Sequence, residues 1–94
     1  MKILWSPTAI ADLRAIRAYI AKDNPTAAHR VALSVRDAVE RLAQFPNSGR
    51  VGRVEETREL VIAGLPFIAV YTASRNKISI ASVLHGSRNW PSSF

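Results

Sequence analysis

The chain has 94 residues, 48% apolar and 21% charged, which leaves room for one core and argues against disorder. It has no cysteine, so disulfide scaffolds, zinc-thiolate sites and thiol nucleophiles are excluded. The balance is basic, with 13 Lys+Arg against 7 Asp+Glu and a formal net charge of +6.

The excess is not a tail. Residues 1–45 carry seven basic and four acidic side chains, and residues 46–94 carry six and three. It reads either as a solubilising surface or as the counterpart of an acidic partner, nucleic acid or protein. The apolar runs, about six or seven residues at most, are too short for a membrane span or a signal-peptide core. The expectation is one cytoplasmic domain over residues 1–94 with no membrane partner.

Lys2 to Trp5 reads as a first strand. Ser6-Pro7 then gives a favoured helix cap followed by proline at the first helical position. Ile10, Leu13, Ile16 and Ile20 recur at helical spacing, predicting a helix over 7–22. Asn24-Pro25 repeats the signal. Ala28, Val31, Val35, Ala38, Val39, Leu42 and Phe45 form the next stripe, ending at Pro46. Asp37 and Arg41 are spaced to pair across one turn. The short connection implies an antiparallel helical hairpin.

Residues 46–56 have no period and read as a loop. Three strand-like runs follow: 57–63, 67–73 and 78–85. Their short turns make an antiparallel meander. The tail from Gly86 is irregular. The expected fold is α+β, in the order β-α-α-β-β-β, with the helical hairpin on one face of a small, mostly antiparallel sheet. The other sheet face must meet solvent, the tail or a partner.

His85 closes the last strand, and imidazole suits acid/base work near neutrality. Arg58 opens the first meander strand, and Arg88 follows His85 by three residues. If their strands share a sheet, Arg58, His85 and Arg88 could converge on a phosphate. Otherwise they are a strand-end histidine and solvated arginines. Arg50 and Arg53 sit in the preceding loop. Its glycines match no nucleotide fingerprint, so no cofactor is indicated. Glu59 reads as an ion-pair partner of nearby arginines or as a base. His29 has no His or Glu one turn on, so no metal set is indicated. Trp5, Phe67, Tyr71 and Trp90 read as core; an exposed Phe67/Tyr71 face would instead suit stacking on RNA.

The ordered set of motifs resembles the RelE/ParE superfamily of toxins. It comprises Trp5-Ser6-Pro7-x-Ala9-x-x-Asp12-Leu13-x-x-Ile16-x-x-Tyr19-Ile20, Asn24-Pro25-x-Ala27-Ala28, Leu42-x-x-Phe45-Pro46-x-x-Gly49-Arg50, Thr57-Arg58-Glu59-Leu60-Val61, and Val83-Leu84-His85-Gly86-x-Arg88-x-Trp90-Pro91. It spans nearly the whole chain. The resemblance implies a growth-arresting bacterial toxin of a plasmid-stabilisation type, neutralised by a cognate antitoxin. Operator DNA would be met only indirectly, through that antitoxin.

Two mechanisms are implied. ParE-like members bind DNA gyrase without chemistry of their own. RelE-like members cut mRNA on the ribosome without a metal. In a RelE-like scheme Glu59 takes the 2′-hydroxyl proton, Arg58 and Arg88 neutralise the phosphorane, and His85 protonates the leaving oxygen. For either target, Arg50, Arg53, Arg58, Arg88 and Trp90 are the candidate contact residues. The chain lacks the lysine-rich sheet and terminal catalytic tyrosine of RelE-like enzymes, which favours the gyrase branch. A non-toxic interaction module is the remaining alternative.

Overall fold

The computed structural model describes residues 1–94. The elements are β1 (Lys2–Trp5), α1 (Pro7–Ala21), α2 (Pro25–Glu40), a 3-10 turn (Arg41–Ala43), β2 (Arg50–Val51), β3 (Arg58–Val61), β4 (Phe67–Ala73) and β5 (Lys77–His85). The architecture is the expected α+β one, with two helices on a five-stranded mixed sheet of order β1-β5-β4-β3-β2. β1 runs parallel to β5, and the other neighbours are antiparallel. The parallel pair needs a long crossover, and the two helices supply it.

Both helix starts follow the sequence signals. The Ser6 hydroxyl accepts from the Ala9 N–H at 3.0 Å, and the Asn24 side chain accepts from the Ala27 N–H at 3.0 Å. A proline occupies the first turn of each helix. α2 ends earlier than expected. Its last turn tightens into the 3-10 segment ahead of Pro46, which disfavours helix in the residue before it. Phe45, placed on the core stripe by periodicity, is 60% exposed. Asp37 pairs with its neighbour Arg36 at 3.2 Å, and not with Arg41.

The core lies between the layers. Ala9, Val35, Val39 and Leu42 from the helices meet Ala69, Tyr71, Ile78, Ile80 and Val83 from the sheet, all buried. Phe67 packs against this cluster and Tyr71 is fully buried within it, so the pair is not an exposed stacking face.

β5 carries a bulge. Tyr71 pairs with Ile80, but Val70 pairs with Ser82, so Ala81 is the extra residue. Two residues of the β1–α1 segment hold it. The Ser6 hydroxyl donates to the Ala81 carbonyl at 2.8 Å. The Asp12 carboxylate accepts from the Ser82 hydroxyl at 2.5 Å and from the Val83 N–H at 3.0 Å. No helix is long and apolar enough to cross a membrane.

Candidate functional site

The segment 46–57 lacks periodicity but is well fixed. The buried Tyr71 hydroxyl donates to the Pro46 carbonyl at 2.8 Å and accepts from the Gly49 N–H at 2.9 Å. A Cβ at Gly49 would lie 2.6 Å from that ring, so only glycine fits without displacement. A Cβ at Gly52 would run into Thr57. The segment also contains the strand β2, which pairs Arg50 with Glu59 and Val51 with Arg58.

Arg58 and Glu59 are consecutive on a strand, so they face opposite sides. Arg58 donates to the Gly49 carbonyl at 2.8 Å and, more weakly, to the Asn47 carbonyl at 3.4 Å. Its guanidinium thus braces the loop. Glu59 is buried on the other face. One carboxylate oxygen accepts from Arg50 at 2.9 and 3.1 Å. The other accepts from the Arg53 backbone N–H at 2.8 Å and from the Arg53 guanidinium at 3.2 Å. Burial alone would raise the Glu59 pKa. The Arg53 N–H and the two guanidinium groups outweigh it and hold the pKa below its ordinary value. A carboxylate so held is a poor proton acceptor, which speaks against Glu59 as a general base.

The Arg53 guanidinium also lies over the Trp90 ring, 3.6 Å from its centroid. The Trp90 indole donates to the His85 carbonyl at 3.3 Å. The tail is therefore folded back over the sheet face without helices. Arg50, Arg53, Glu59 and Trp90 form one cluster there. The two arginines are about half exposed while sharing one carboxylate, so the patch keeps a net positive charge.

His85 and Arg88 lie elsewhere, in a groove of about 370 Å³ between α1 and the end of the sheet. Its α1 wall is the stripe Asp12, Ala15, Ile16 and Tyr19, with Phe67 and His85 among the sheet residues. The His85 Nδ1 meets the Ser87 hydroxyl at 2.8 Å and accepts from the Ser87 N–H at 3.2 Å. Its ring stands edge-on to Phe67, with centroids 5.9 Å apart. Along β4, His85 is opposite Phe67 while Arg58 is opposite Tyr71.

The expected convergence of Arg58, His85 and Arg88 is therefore not formed. His85 and Arg88 come together. Arg50, Arg53, Glu59 and Trp90 come together on the opposite face. Arg58 joins neither group. Asp12 and Tyr19 are not site candidates in the sequence, and Tyr71 reads there only as core or as a stacking face; yet Tyr71 and Asp12 fix the site's framework and Tyr19 walls the groove. The +3/+4 spacing of Asp12, Ala15, Ile16 and Tyr19 marks a second α1 stripe beside the core one, and that spacing is visible in the sequence.

Residues 3–90 match the family model described as the ParE toxin of the type II toxin-antitoxin system parDE. The chain is 46% identical to Y4kP, a candidate toxin of Sinorhizobium fredii, over 96% of this chain and 93% of that one. It is 36% identical to toxin RelE2 of Caulobacter vibrioides, over 93% and 97% of the two chains. A solved structure of the chromosomal ParDE system from P. aeruginosa superposes with a TM-score of 0.78 at 27% identity, covering 88% of this chain and 92% of that one.

Proposed function

The chain belongs to the ParE toxin family of type II toxin-antitoxin systems, and from that premise we propose that it arrests growth by binding its target, DNA gyrase, and not by cutting RNA. A cognate antitoxin is its family-implied partner and neutralises it by covering its surface. The observation that carries the binding reading is the dispersal of the catalytic candidates. General acid–base cleavage needs its acid, base and charge-stabilising groups within hydrogen-bond reach of one phosphate. Here the Arg58 guanidinium is spent on loop carbonyls and the Glu59 carboxylate on two arginines. His85 lies four residues further along β4.

The Arg50–Arg53–Trp90 patch is the surface offered to the target. It is cationic, partly exposed, and backed by the buried Glu59 carboxylate, which fixes both guanidinium groups. Arginine and tryptophan are the side chains most often found at energetic centres of interfaces.

The test is brief induction in bacteria without antitoxin, with thymidine and methionine incorporation followed over the first minutes. Thymidine incorporation stopping first, with filamentous cells, supports the reading. Methionine incorporation stopping first contradicts it and points to the ribosome.

A further inference from the structure

β2 is a free edge of the sheet, with β3 on one side and no strand on the other. Arg50 stands opposite Glu59 and Val51 opposite Arg58. Beside them the Gly52 N–H donates to the Thr57 carbonyl at 2.8 Å. Bonded and non-bonded pairs alternate along an antiparallel ladder. Arg50 and Gly52 therefore spend their backbone groups on β3, and Val51 turns its N–H and carbonyl outward.

The Val51 side chain is open as well. It is 81% exposed, more than any other large apolar residue of the chain. Natural edge strands are usually blunted by charge, proline or a covering segment. Val51 itself carries neither charge nor proline. It is also held in place from both sides. The Gly49 N–H donates to the Tyr71 hydroxyl and the Gly49 carbonyl accepts from Arg58. Glu59 holds Arg50 and Arg53. An incoming chain thus meets a preformed edge, which lowers the cost of ordering on binding.

The two faces of this edge differ, because successive strand side chains alternate. Val51 shares one face with Arg58. Arg50 shares the other with Glu59, Arg53 and Trp90. Two guanidinium groups share one carboxylate there, so that face stays cationic. A strand added to β2 sets one residue beside Val51, where it takes the outward N–H and carbonyl and lays its side chain on the apolar face. The residues before and after it face the arginines. Complementarity therefore selects an extended acidic–apolar–acidic run. A second copy of this chain does not supply one: edge against edge, it brings Arg50 and Arg53 toward their own counterparts.

We propose that β2 is a docking edge for the protein target, taking an extended acidic–apolar–acidic segment of it as an added strand on Val51, with its carboxylates on Arg50 and Arg53. Main-chain pairing supplies affinity in such strand addition, and the alternate side chains supply selectivity. The proposal rests on the gyrase reading and deepens it, giving the arginine patch a register and a sequence class to recognise.

The experiment is amide hydrogen exchange on the full chain, alone and bound to DNA gyrase purified from the species that carries the gene, without DNA. Affinity is measured for the wild type, Val51→Thr, Val51→Asp and Val51→Pro. Proline removes only the outward N–H, which makes no bond within the sheet, and edge positions accept proline. Circular dichroism and melting of each variant alone should match the wild type; if the proline variant melts lower, the aspartate variant and the exchange data decide. The expected result is fast exchange at the Val51 amide in the free chain and slow exchange in the complex. Binding should weaken about tenfold or more for Val51→Asp and Val51→Pro and stay within about twofold for Val51→Thr. Gyrase binding that leaves the Val51 amide fast, with every variant binding as wild type, overturns the edge proposal and leaves the gyrase reading standing. Protection of Val51 in the chain alone, rising with its concentration, makes a second copy the occupant and also overturns it. Failure of the wild type to bind gyrase removes the gyrase reading and the proposal with it.

Discussion

Arg58 and His85 face different residues of one strand: Arg58 stands opposite Tyr71 and His85 opposite Phe67. At about 3.3 Å per residue they are roughly 13 Å apart along the strand direction, and with β4 between them roughly another 10 Å apart across it. A phosphate held by one is out of reach of the other. Each has local work: Arg58 braces the loop carbonyls, and His85 closes a turn with Ser87 and packs on Phe67. The single substitution Arg58→Ala should therefore act on stability. Losing its hydrogen bonds to Gly49 and Asn47 should cost about 1–2 kcal/mol in a denaturant titration.

The loop 46–57 depends on one hydroxyl. Tyr71→Phe removes both its donation to Pro46 and its acceptance from Gly49, leaving buried groups unpaired at about 1–3 kcal/mol. Gly49→Ala drives a methyl into the same ring and should destabilise by about 1–3 kcal/mol. Because both act on one contact, the double variant should lose less than the sum of the two. Equilibrium unfolding of the two single variants and the double variant checks this.

Asp12 ties α1 to the bulge in β5. Asp12→Ala should cost about 2–3 kcal/mol, because it strips a carboxylate from the Ser82 hydroxyl and the Val83 N–H. Asp12→Asn keeps an acceptor oxygen and should recover part of the loss. Hydrogen exchange at the Val83 amide should quicken in the alanine variant well before global unfolding. An unchanged rate there would contradict the capping role.

Much of the fold is legible in the sequence because its cues are local. Ser6-Pro7 and Asn24-Pro25 fix the helix starts through neighbours three residues away. Strand runs and turn residues locate the meander. The loop is not legible, because its shape is imposed by Tyr71, Arg58 and Glu59, and the Tyr71 contacts cross 22 and 25 residues of chain. β2 is only two residues long, too short for any alternation to show. The bulge does leave a trace: apolar spacing in β5 runs Ile78, Ile80, then Val83, a step of three where two is the strand period.

The site divides the same way. Glu59 beside basic loop residues reads correctly as an ion-pair partner, because sequence neighbours are close in a two-strand turn. The pairing of Arg58 with Tyr71 and of His85 with Phe67 is a matter of register, which strand periodicity leaves open by steps of two. Asp12 looks like an ordinary polar residue off the helical stripe. Only the placement of α1 on β5 gives it a role.

Glu59 makes stability pH-dependent on the acid side. Its folded pKa is held below the ordinary 4.5, so the ionised form is favoured by folding. That stabilisation is complete above the unfolded value and is lost as pH falls through the lower folded one. Chemical denaturation at a series of pH values should show wild type losing stability as pH falls below about 4.5. Glu59→Gln should be less stable at neutrality and show a shallower acid slope. Parallel pH curves would remove Glu59 from the account.

The central claim is that the toxin acts by binding. The most direct measurement is growth arrest by the double variant Arg58→Lys/His85→Gln, induced without antitoxin and normalised to soluble, folded protein. Lysine can still donate to the Gly49 carbonyl, and glutamine can still meet Ser87, so the fold should hold. The account predicts arrest within about twofold of wild type, roughly 0.4 kcal/mol in effective affinity. Loss of arrest in a variant with wild-type melting and abundance would contradict it and restore a chemical role to these two side chains.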